Sequence, residues 1–165
     1  MSDISLRTDE ILKHDLDKYG DTIYRLAYSY MKNTYDAEDV VQEVFMKLFE
    51  NIDNFQNEEH KKFWLITVGR NICKNKLKSF WFKKNCELHE VSYCDKYEYN
   101  DMTVLNEVIN LPVKYREVIY LYYYEDYTSV KIASIINKKE STVRSLLSRG
   151  RKILKDRLKE EYDFE

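Results

Sequence analysis

The sequence has little glycine and almost no proline, with three glycines and one proline among 165 residues. Both residues are disfavoured inside helices and mark breaks in regular structure. Their scarcity leaves long amphipathic segments uninterrupted, and these segments are rich in aliphatic residues, lysine and glutamate. The composition therefore predicts an all-α protein, and the length allows one ordinary domain or two small ones.

Long apolar runs and paired cysteines are also missing. No segment approaches the length of a signal peptide or a membrane span, so we expect a cytoplasmic location and no membrane insertion of its own. Cys73, Cys86 and Cys94 are odd in number and form no C-x-x-C pair, which is typical of reduced thiols. Cys86, His89 and Cys94 could be assembled into a metal site, but they lack the usual ligand spacing, and we predict no metal and no cofactor.

The sequence also lacks a recognisable catalytic constellation. It contains no paired nucleophile and base and no phosphate-binding loop. His14, His60 and His89 fall in polar stretches without partners. We therefore expect no enzymatic activity.

Charge is segregated along the chain, although the net charge is only −2. Residues 61–84 contain eight lysines and arginines and no acid, and residues 131–159 contain ten against two acids. Residues 36–50 hold five acids and one lysine. Two basic surfaces and an acidic one predict that the chain binds both negatively and positively charged partners.

The segment Thr128–Leu154 has the pattern of a helix-turn-helix. Apolar residues recur at helical spacing on both sides of Asn137-Lys138-Lys139. Asparagine tolerates the left-handed backbone that ends a helix abruptly, and the small Ala133 one turn earlier permits close approach of two crossing helices. This spacing predicts a tight turn between two helices.

The second helix of this motif carries a polar and basic surface opposite its apolar face. Hydroxyls and guanidinium groups near the start of a helix can reach base edges and phosphates in a major groove. The alternative is a solvated basic helix packed on a neighbour, but the turn, the small residue and the polar face together favour DNA binding. The polar set is Ser141, Arg144, Ser145, Ser148, Arg149, Arg151, Lys152 and Lys155.

Three helices are predicted in the first half of the chain. The first covers residues 19–31, and residues 2–17 either begin it or fray. The second covers about 37–51, with Asp36 as its N-cap and Phe49 among its inward residues. The third covers about 63–82 and interleaves aromatic and basic residues, which suits single-stranded nucleic acid. It is equally consistent with aromatic side chains that fill a core while the lysines are solvated.

The stretch 84–100 loses apolar periodicity and is the best candidate for a flexible linker. We therefore predict two small helical domains, residues 1–83 and 101–165. In the second domain a short helix precedes Leu111-Pro112, where proline is welcome in the first turn of the next helix.

Several motifs occur in order along both halves of the chain. They are Asp36–Phe45 (DAEDVVQEVF), Phe63-Trp64-Leu65 with Arg70-Asn71, Leu111-Pro112, and Ser141–Ser145 (STVRS). From Tyr19 to Leu158 the chain resembles a bacterial RNA polymerase sigma factor of the extracytoplasmic-function (ECF) group. The resemblance implies a transcription initiation factor that binds core RNA polymerase and directs it to promoter DNA. Two domains without an intervening one are typical of this group.

The resemblance also implies a role for each surface. Asp39, Gln42 and Glu43 would dock on the polymerase. The first domain would melt the minus-ten element and capture a flipped base, and the second would read the minus-thirty-five element as duplex. The implied minus-ten residues are Phe55, Gln56, Asn57, Trp64, Arg70, Asn71 and Lys74. The implied minus-thirty-five residues are Ser141, Thr142, Arg144, Ser145, Ser148, Arg149, Arg151 and Lys152, of which Arg144, Ser148 and Arg149 would contact bases or lie near them.

The sequence departs from the family pattern at two positions. Lys131 stands where many relatives carry glutamate, so Thr128 cannot form a capping box. Ser148 replaces a residue that is often bulkier or more basic, which leaves the promoter sequence open. An anti-sigma partner, which could hold the chain at the membrane, is implied by the resemblance alone. The rival interpretation is a free-standing helix-turn-helix regulator that binds duplex DNA as a dimer, although such a regulator needs neither an acidic docking helix nor an aromatic, basic one.

Overall fold

The computed structural model describes residues 2–86 and 103–162, and these residues form seven helices and no strand. The chain divides into two compact units, Met1–Asp95 and Lys96–Glu165. The prediction of an all-α protein is confirmed. Most of the predicted linker, residues 87–100, lies outside the described residues.

The first unit consists of α1 (Ser2–Met31), α2 (Thr34–Glu50) and α3 (Glu58–Cys86). Each helix packs against the other two. The helices bury apolar residues that recur every three or four positions, and this spacing places them on one face of each helix. The largest fully buried side chains here are Ile23 and Leu26 of α1, Val40, Val44 and Leu48 of α2, and Leu65 and Ile66 of α3. Residues 2–17 do not fray from the predicted first helix but are continuous with it.

The connection between α1 and α2 corrects one prediction. Lys32 has a positive φ of 60°, and the chain then enters α2 at Thr34 with Asn33 as the N-cap. The Asn33 side-chain oxygen accepts a hydrogen bond from the Asp36 amide at 2.8 Å. The prediction of Asp36 as the N-cap was therefore wrong, because Asn33 three residues earlier supplies the capping oxygen and Asp36 lies in the first turn.

An ionic network joins α1 to the start of α3. The fully buried Asp15 pairs with Lys61 at 2.9 Å. Glu58 accepts hydrogen bonds from the Lys18 ammonium at 2.8 Å and the Tyr19 hydroxyl at 2.5 Å. These two hydrogen bonds lower the pKa of Glu58 to about 2. The network fixes the position at which α3 begins along α1.

The second unit consists of α4 (Thr103–Ile109), α5 (Val113–Tyr123), α6 (Ser129–Ile136) and α7 (Glu140–Tyr162). Its core contains apolar residues from each helix, including Val108, Ile119, Ile132 and Val143. Pro112 occupies the N-cap position of α5, one residue before the first turn in which it was predicted. The buried Arg116 donates a hydrogen bond to the Ile109 carbonyl and so ties α5 to the end of α4.

The turn between α6 and α7 has the predicted geometry. Asn137 adopts the left-handed conformation (φ 53°, ψ 53°), and the Lys138 amide donates to the Ala133 carbonyl at 3.0 Å. Thr128 caps α6 by accepting from the Lys131 amide at 3.3 Å. These contacts satisfy backbone groups that helix ends leave unpaired, and they set α6 and α7 as a helix-turn-helix.

Candidate nucleic-acid and protein interfaces

The outer face of α7 is polar because its inner face packs on α5 and α6. Val143, Leu147 and Gly150 are buried at helical spacing. A Cβ added at Gly150 would lie 3.1 Å from Ile119 Cγ1, so α7 approaches α5 closely at this point. All the minus-thirty-five residues predicted on this helix are exposed except Thr142, which is half-buried. The exposed ones are Ser141, Arg144, Ser145, Ser148, Arg149, Arg151 and Lys152.

The polar residues of α7 differ in what they already bind. Arg144 pairs with Glu140 at 2.6 Å, and the Ser145 hydroxyl donates to the Ser141 carbonyl at 3.0 Å. Within the described residues, the side chains of Ser148, Arg149 and Lys152 make no hydrogen bond or ion pair. These three side chains can therefore bind an external group without first breaking an internal contact.

Arg151 faces a different part of the second unit. Its Nε donates to the Tyr123 hydroxyl at 2.7 Å, and its guanidinium lies 5.2 Å and 5.5 Å from the ring centroids of Tyr122 and Tyr123. It borders an apolar cleft between α4, α5 and α7 that also includes Val108 and Leu154. Arg151 thus lies on a flank of α7 that differs from the face bearing Ser148 and Lys152.

An aromatic cluster lies where the loop after α2 meets α3. The rings of Phe55 and Trp64 contact edge to face with centroids 5.2 Å apart, and the His60 ring lies 5.8 Å from Phe55. Phe55 and Trp64 are both half-buried. The sequence left open whether Trp64 fills the core or faces nucleic acid. Its position at the edge of the core supports a contribution to both.

Asn57 caps the N-terminus of α3. Its side-chain oxygen accepts a hydrogen bond from the His60 amide at 2.8 Å, which is the N-cap arrangement. The Gln56 side chain is exposed, and its backbone N–H donates to His60 Nδ1 at 3.5 Å. His60 therefore contacts the loop four and five residues earlier, and the expectation that it has no catalytic partner stays a prediction.

The remaining minus-ten residues lie along α3. Asn71 follows Trp64 by seven residues and Lys74 follows Arg70 by four, so these residues lie on the part of the helix surface turned away from the buried Leu65 and Gly69. Asn71 is exposed, while Arg70 and Lys74 are half-buried. Arg70 donates a hydrogen bond to the Asn71 side-chain oxygen at 3.3 Å. The structure thus brings Trp64, Arg70, Asn71 and Lys74 onto one face.

The predicted docking acids of α2 are bound by a lysine of α3. Lys76 Nζ lies 2.7 Å from Asp39 and 3.5 Å from Glu43. The hydrogen bond that Lys76 donates to Asp39 and the two nearby negative charges raise the pKa of Lys76. Asp39 and Glu43 still expose 60% and 45% of their side chains, and Gln42 is exposed. Lys76 was missed in the sequence because nothing in a single chain indicates which turn of α3 faces α2.

Exposed apolar residues share this face of α2. Tyr35, Met46 and Phe49 are 87%, 68% and 53% exposed, and they fall at seven- and three- to four-residue spacings with Gln42. The prediction that Phe49 points inward was wrong. Val40, Val44 and Leu48 already fill the core side of α2, which leaves Phe49 on the outer side. The face therefore combines acids with apolar groups, a composition suited to binding a protein.

The described residues contain no group of three possible metal ligands. Of the three possible metal ligands Cys86, His89 and Cys94, the last two lie outside the described residues. Cys73 is buried, and burial raises the pKa of its thiol to about 12. Among the helices of residues 2–86 and 103–162, none is long and apolar enough to span a membrane.

The fold and these surfaces define an all-helical DNA-binding protein with a helix-turn-helix in its second unit. Two family models match the chain: Sigma-70 region 2 over residues 16–82, and Sigma-70, region 4 over residues 102–154. The chain belongs to the sigma-70 family of RNA polymerase sigma factors, in its ECF group, which confirms the family assignment made from the sequence motifs.

Individual relatives agree with this assignment. The ECF RNA polymerase sigma factor SigW of Bacillus subtilis is 26% identical over 163 residues, covering 88% of this chain and 87% of SigW. The sigma factor SigV of the same organism is 28% identical over 158 residues, covering 93% and 95%. The sigma factor RpoE of Bartonella quintana, solved with the anti-sigma factor NepR, shares the fold with a TM-score of 0.72 at 23% identity, covering 89% and 96%.

Membership fixes the general function. This chain is a promoter-directing transcription initiation factor, and sigma factors as a family are non-catalytic transcription factors. DNA binding is a property of its region 4.

Proposed function

We propose that this chain binds core RNA polymerase and directs it to promoters, reading the minus-thirty-five element as duplex and melting the minus-ten element. In this proposal residues 1–83 bind polymerase and the minus-ten element, residues 84–100 connect the domains, and residues 101–165 bind the minus-thirty-five element. The chain acts without enzymatic activity or a cofactor.

The observation that carries the proposal is the outer face of α7. A helix fits the major groove of B-DNA, and the N-terminal residues of a recognition helix contact base edges. Arg149 and Ser148 are exposed in the first half of α7 and have no internal partner among the described residues. We assign them to bases together with Arg144, whose pair with Glu140 must open on binding. We assign Ser141, Thr142, Ser145, Arg151 and Lys152 to phosphates or to contacts beside the bases.

The minus-ten element is assigned to α3 and the loop before it. A flipped base is held by stacking and by hydrogen bonds to its pairing edge. Phe55 and Trp64 provide rings, Gln56 and Asn57 provide amides, and Arg70, Asn71 and Lys74 continue the surface along the helix. The support for this assignment is that these groups lie together at one end and one face of α3.

Polymerase docking is assigned to the outer face of α2. Asp39, Gln42 and Glu43 lie there beside the exposed Met46 and Phe49. An interface built this way gains area from the apolar groups and orientation from the acids.

We also propose an anti-sigma partner and a cytoplasmic location, with the partner able to hold the chain at the membrane. The support is likeness of fold: Bartonella quintana RpoE was solved in complex with the anti-sigma factor NepR.

The test is size-exclusion chromatography of the purified chain with bacterial core RNA polymerase, beside a duplex DNA binding assay without polymerase. We expect co-elution with polymerase and weak or no DNA binding by the free chain. If the chain ignores polymerase and binds duplex DNA tightly as a dimer, the assignments in the first unit fail and the free-standing regulator replaces them.

A further inference from the structure

The end of α3 carries an exposed tryptophan that the proposed function does not use. Trp81 exposes 72% of its surface, although tryptophan is usually well buried. It lies two helical turns beyond Lys74, the last residue assigned to the minus-ten element, and its neighbours Lys78 and Lys83 are also exposed.

Trp81 continues a row of cations along α3. Arg70, Lys74 and Lys78 follow one another at four-residue spacing, and Trp81 comes three residues later, so all four lie on adjacent parts of one face. The opposite face holds the buried Gly69, Ile72 and Cys73. The row is thus directed away from the core of the first unit.

The composition of this row indicates what it can bind. Arg70, Lys74 and Lys78 are positively charged and residues 61–84 contain no acid, so a partner that covers the row is anionic. Cations follow phosphates and an indole ring stacks on unpaired bases, which is the pattern of single-stranded DNA binding. A helix that lies on a membrane needs a broad apolar face, whereas here the exposed rings of Phe80 and Trp81 follow three cations, and Asn71 and Asn75 lie alongside.

We propose that Trp81 stacks on an unpaired base of single-stranded DNA whose phosphates are bound by Lys74 and Lys78. This extends the minus-ten surface along α3 and rests on the proposed function. At 1.5 Å per residue, Trp81 lies about 16 Å from Arg70, which corresponds to roughly five stacked base steps.

The two tryptophans of the chain allow a direct test of stacking. In a Trp64→Phe variant of the full chain, Trp81 is the sole tryptophan reporter. We expect single-stranded oligonucleotides to quench its fluorescence without a blue shift, and a further Lys78→Ala change to weaken that titration. A blue shift of the Trp81 emission with phosphatidylglycerol vesicles and no response to DNA would assign the row to a membrane surface and overturn the proposal. Fluorescence that changes with neither vesicles nor DNA would also overturn it.

Promoter opening by the complex with polymerase tests the role in function. Removal of one stacked ring should lower opening by Trp81→Ala roughly fivefold to a hundredfold. Trp81→Phe should restore most of it because it keeps a stacking ring. Phe80→Ala is the matched control, since Phe80 lies one residue away toward the core side of α3 and exposes 42% of its surface. Each variant is compared with the parent chain in a thermal melt.

Equal losses for Trp81→Ala and Trp81→Phe, or an equal loss for Phe80→Ala, would rule out stacking at Trp81. The variant Asn71→Ala tests the minus-ten assignment of the proposed function separately from the role of Trp81. If Asn71→Ala lowers opening and Trp81→Ala does not, only the extension along α3 is wrong. If neither variant lowers opening, the minus-ten assignment fails as well.

Discussion

Cys73 lies on the core side of α3, and its thiol is fully buried. Burial raises its pKa to about 12, and the reactive form of cysteine is the thiolate. We therefore expect Cys73 to resist alkylation by iodoacetamide in the folded chain and to react once denaturant opens the first unit. Peptide mapping by mass spectrometry distinguishes it from Cys86 and Cys94. Modification of Cys73 under native conditions, at the rate of a free thiol, would contradict its burial.

Arg149 is one of the three residues of α7 that the proposed function assigns to bases. If it makes a bidentate contact to a base, Arg149→Ala should weaken promoter binding by the polymerase complex by about 1–3 kcal/mol and relax preference at one upstream position. Binding to a panel of promoters with single-base changes measures both effects. Lys155→Ala removes an exposed cation farther along the same helix and serves as the control. A loss equal for every promoter would reassign Arg149 to phosphate.

The outer face of α2 yields a prediction about charge. Because Lys76 lies against Asp39 and Glu43, reversing either acid to lysine would create internal repulsion as well as remove a docking group. The neutral pair Asp39→Asn and Glu43→Gln avoids this. We expect it to weaken core polymerase binding by at least about 1 kcal/mol, roughly fivefold, and to reduce the dependence of binding on salt.

Titration of labelled core polymerase at two salt concentrations measures both quantities. Glu38→Gln removes an exposed acid from the same helix and should change affinity little. If the Glu38 variant and the double variant lose affinity equally, the general negative charge of α2 matters, and the specific docking assignment does not hold.

The junction of α1 and α3 predicts a dependence of stability on pH. Glu58 has a folded pKa of about 2, below its ordinary value of 4.5, because Lys18 and Tyr19 donate hydrogen bonds to it. A lowered pKa stabilises the fold above pH 4.5, and this contribution is lost as pH falls toward 2. Since 55% of the Glu58 side chain is exposed, solvent limits the effect to about 1 kcal/mol or less.

Urea unfolding of a Glu58→Gln variant checks this expectation. The variant should be less stable than the parent chain at pH 7, and the difference should shrink as pH falls below 4.5. Glu50→Gln, which removes an exposed acid at the end of α2, controls for the loss of one negative charge. A difference that stayed constant from pH 7 to pH 3 would mean that ionised Glu58 contributes nothing.

Helices were predicted well from the sequence, but their ends and side-chain partners were not. Apolar spacing indicated α2 and α7, and Asn137 indicated the turn, because these signals are local. Asn33 and Asp36 are both good capping residues, and only the path of the chain decided between them. Lys76 meets Asp39 across 37 positions, and Trp81 is exposed because the core of the first unit ends before it. Contacts between residues far apart in the chain are not indicated by the spacing of residue types in a single sequence.

At the scale of the whole molecule, each unit has a core of its own. The first buries Leu26, Val44 and Leu65, and the second buries Ile119, Ile132 and Val143. We expect fragments 1–95 and 96–165 each to fold alone, since domains of this size can do so. Circular dichroism and thermal melting of each fragment should show helix lost in a cooperative transition. A fragment that melts without cooperativity would show that its core depends on the other half.

The division into two helical units with a helix-turn-helix in the second was predictable, because charge, composition and motifs change together along the chain. The domain limits of 83, 84–100 and 101 stay predictions. The promoter preference would depend on the proposed contacts of single side chains such as Ser148, about which periodicity carries no information.

The residue at position 57 caps the N-terminus of α3, independently of the DNA contact proposed for the loop. Asn57 accepts the His60 amide, and only serine, threonine, aspartate and glycine are comparable replacements in that role. The exposed side chain of Gln56 makes no such bond among the described residues, so capping of α3 does not restrict position 56. Relatives that evolve a new promoter preference through this loop should therefore diverge at position 56 before position 57.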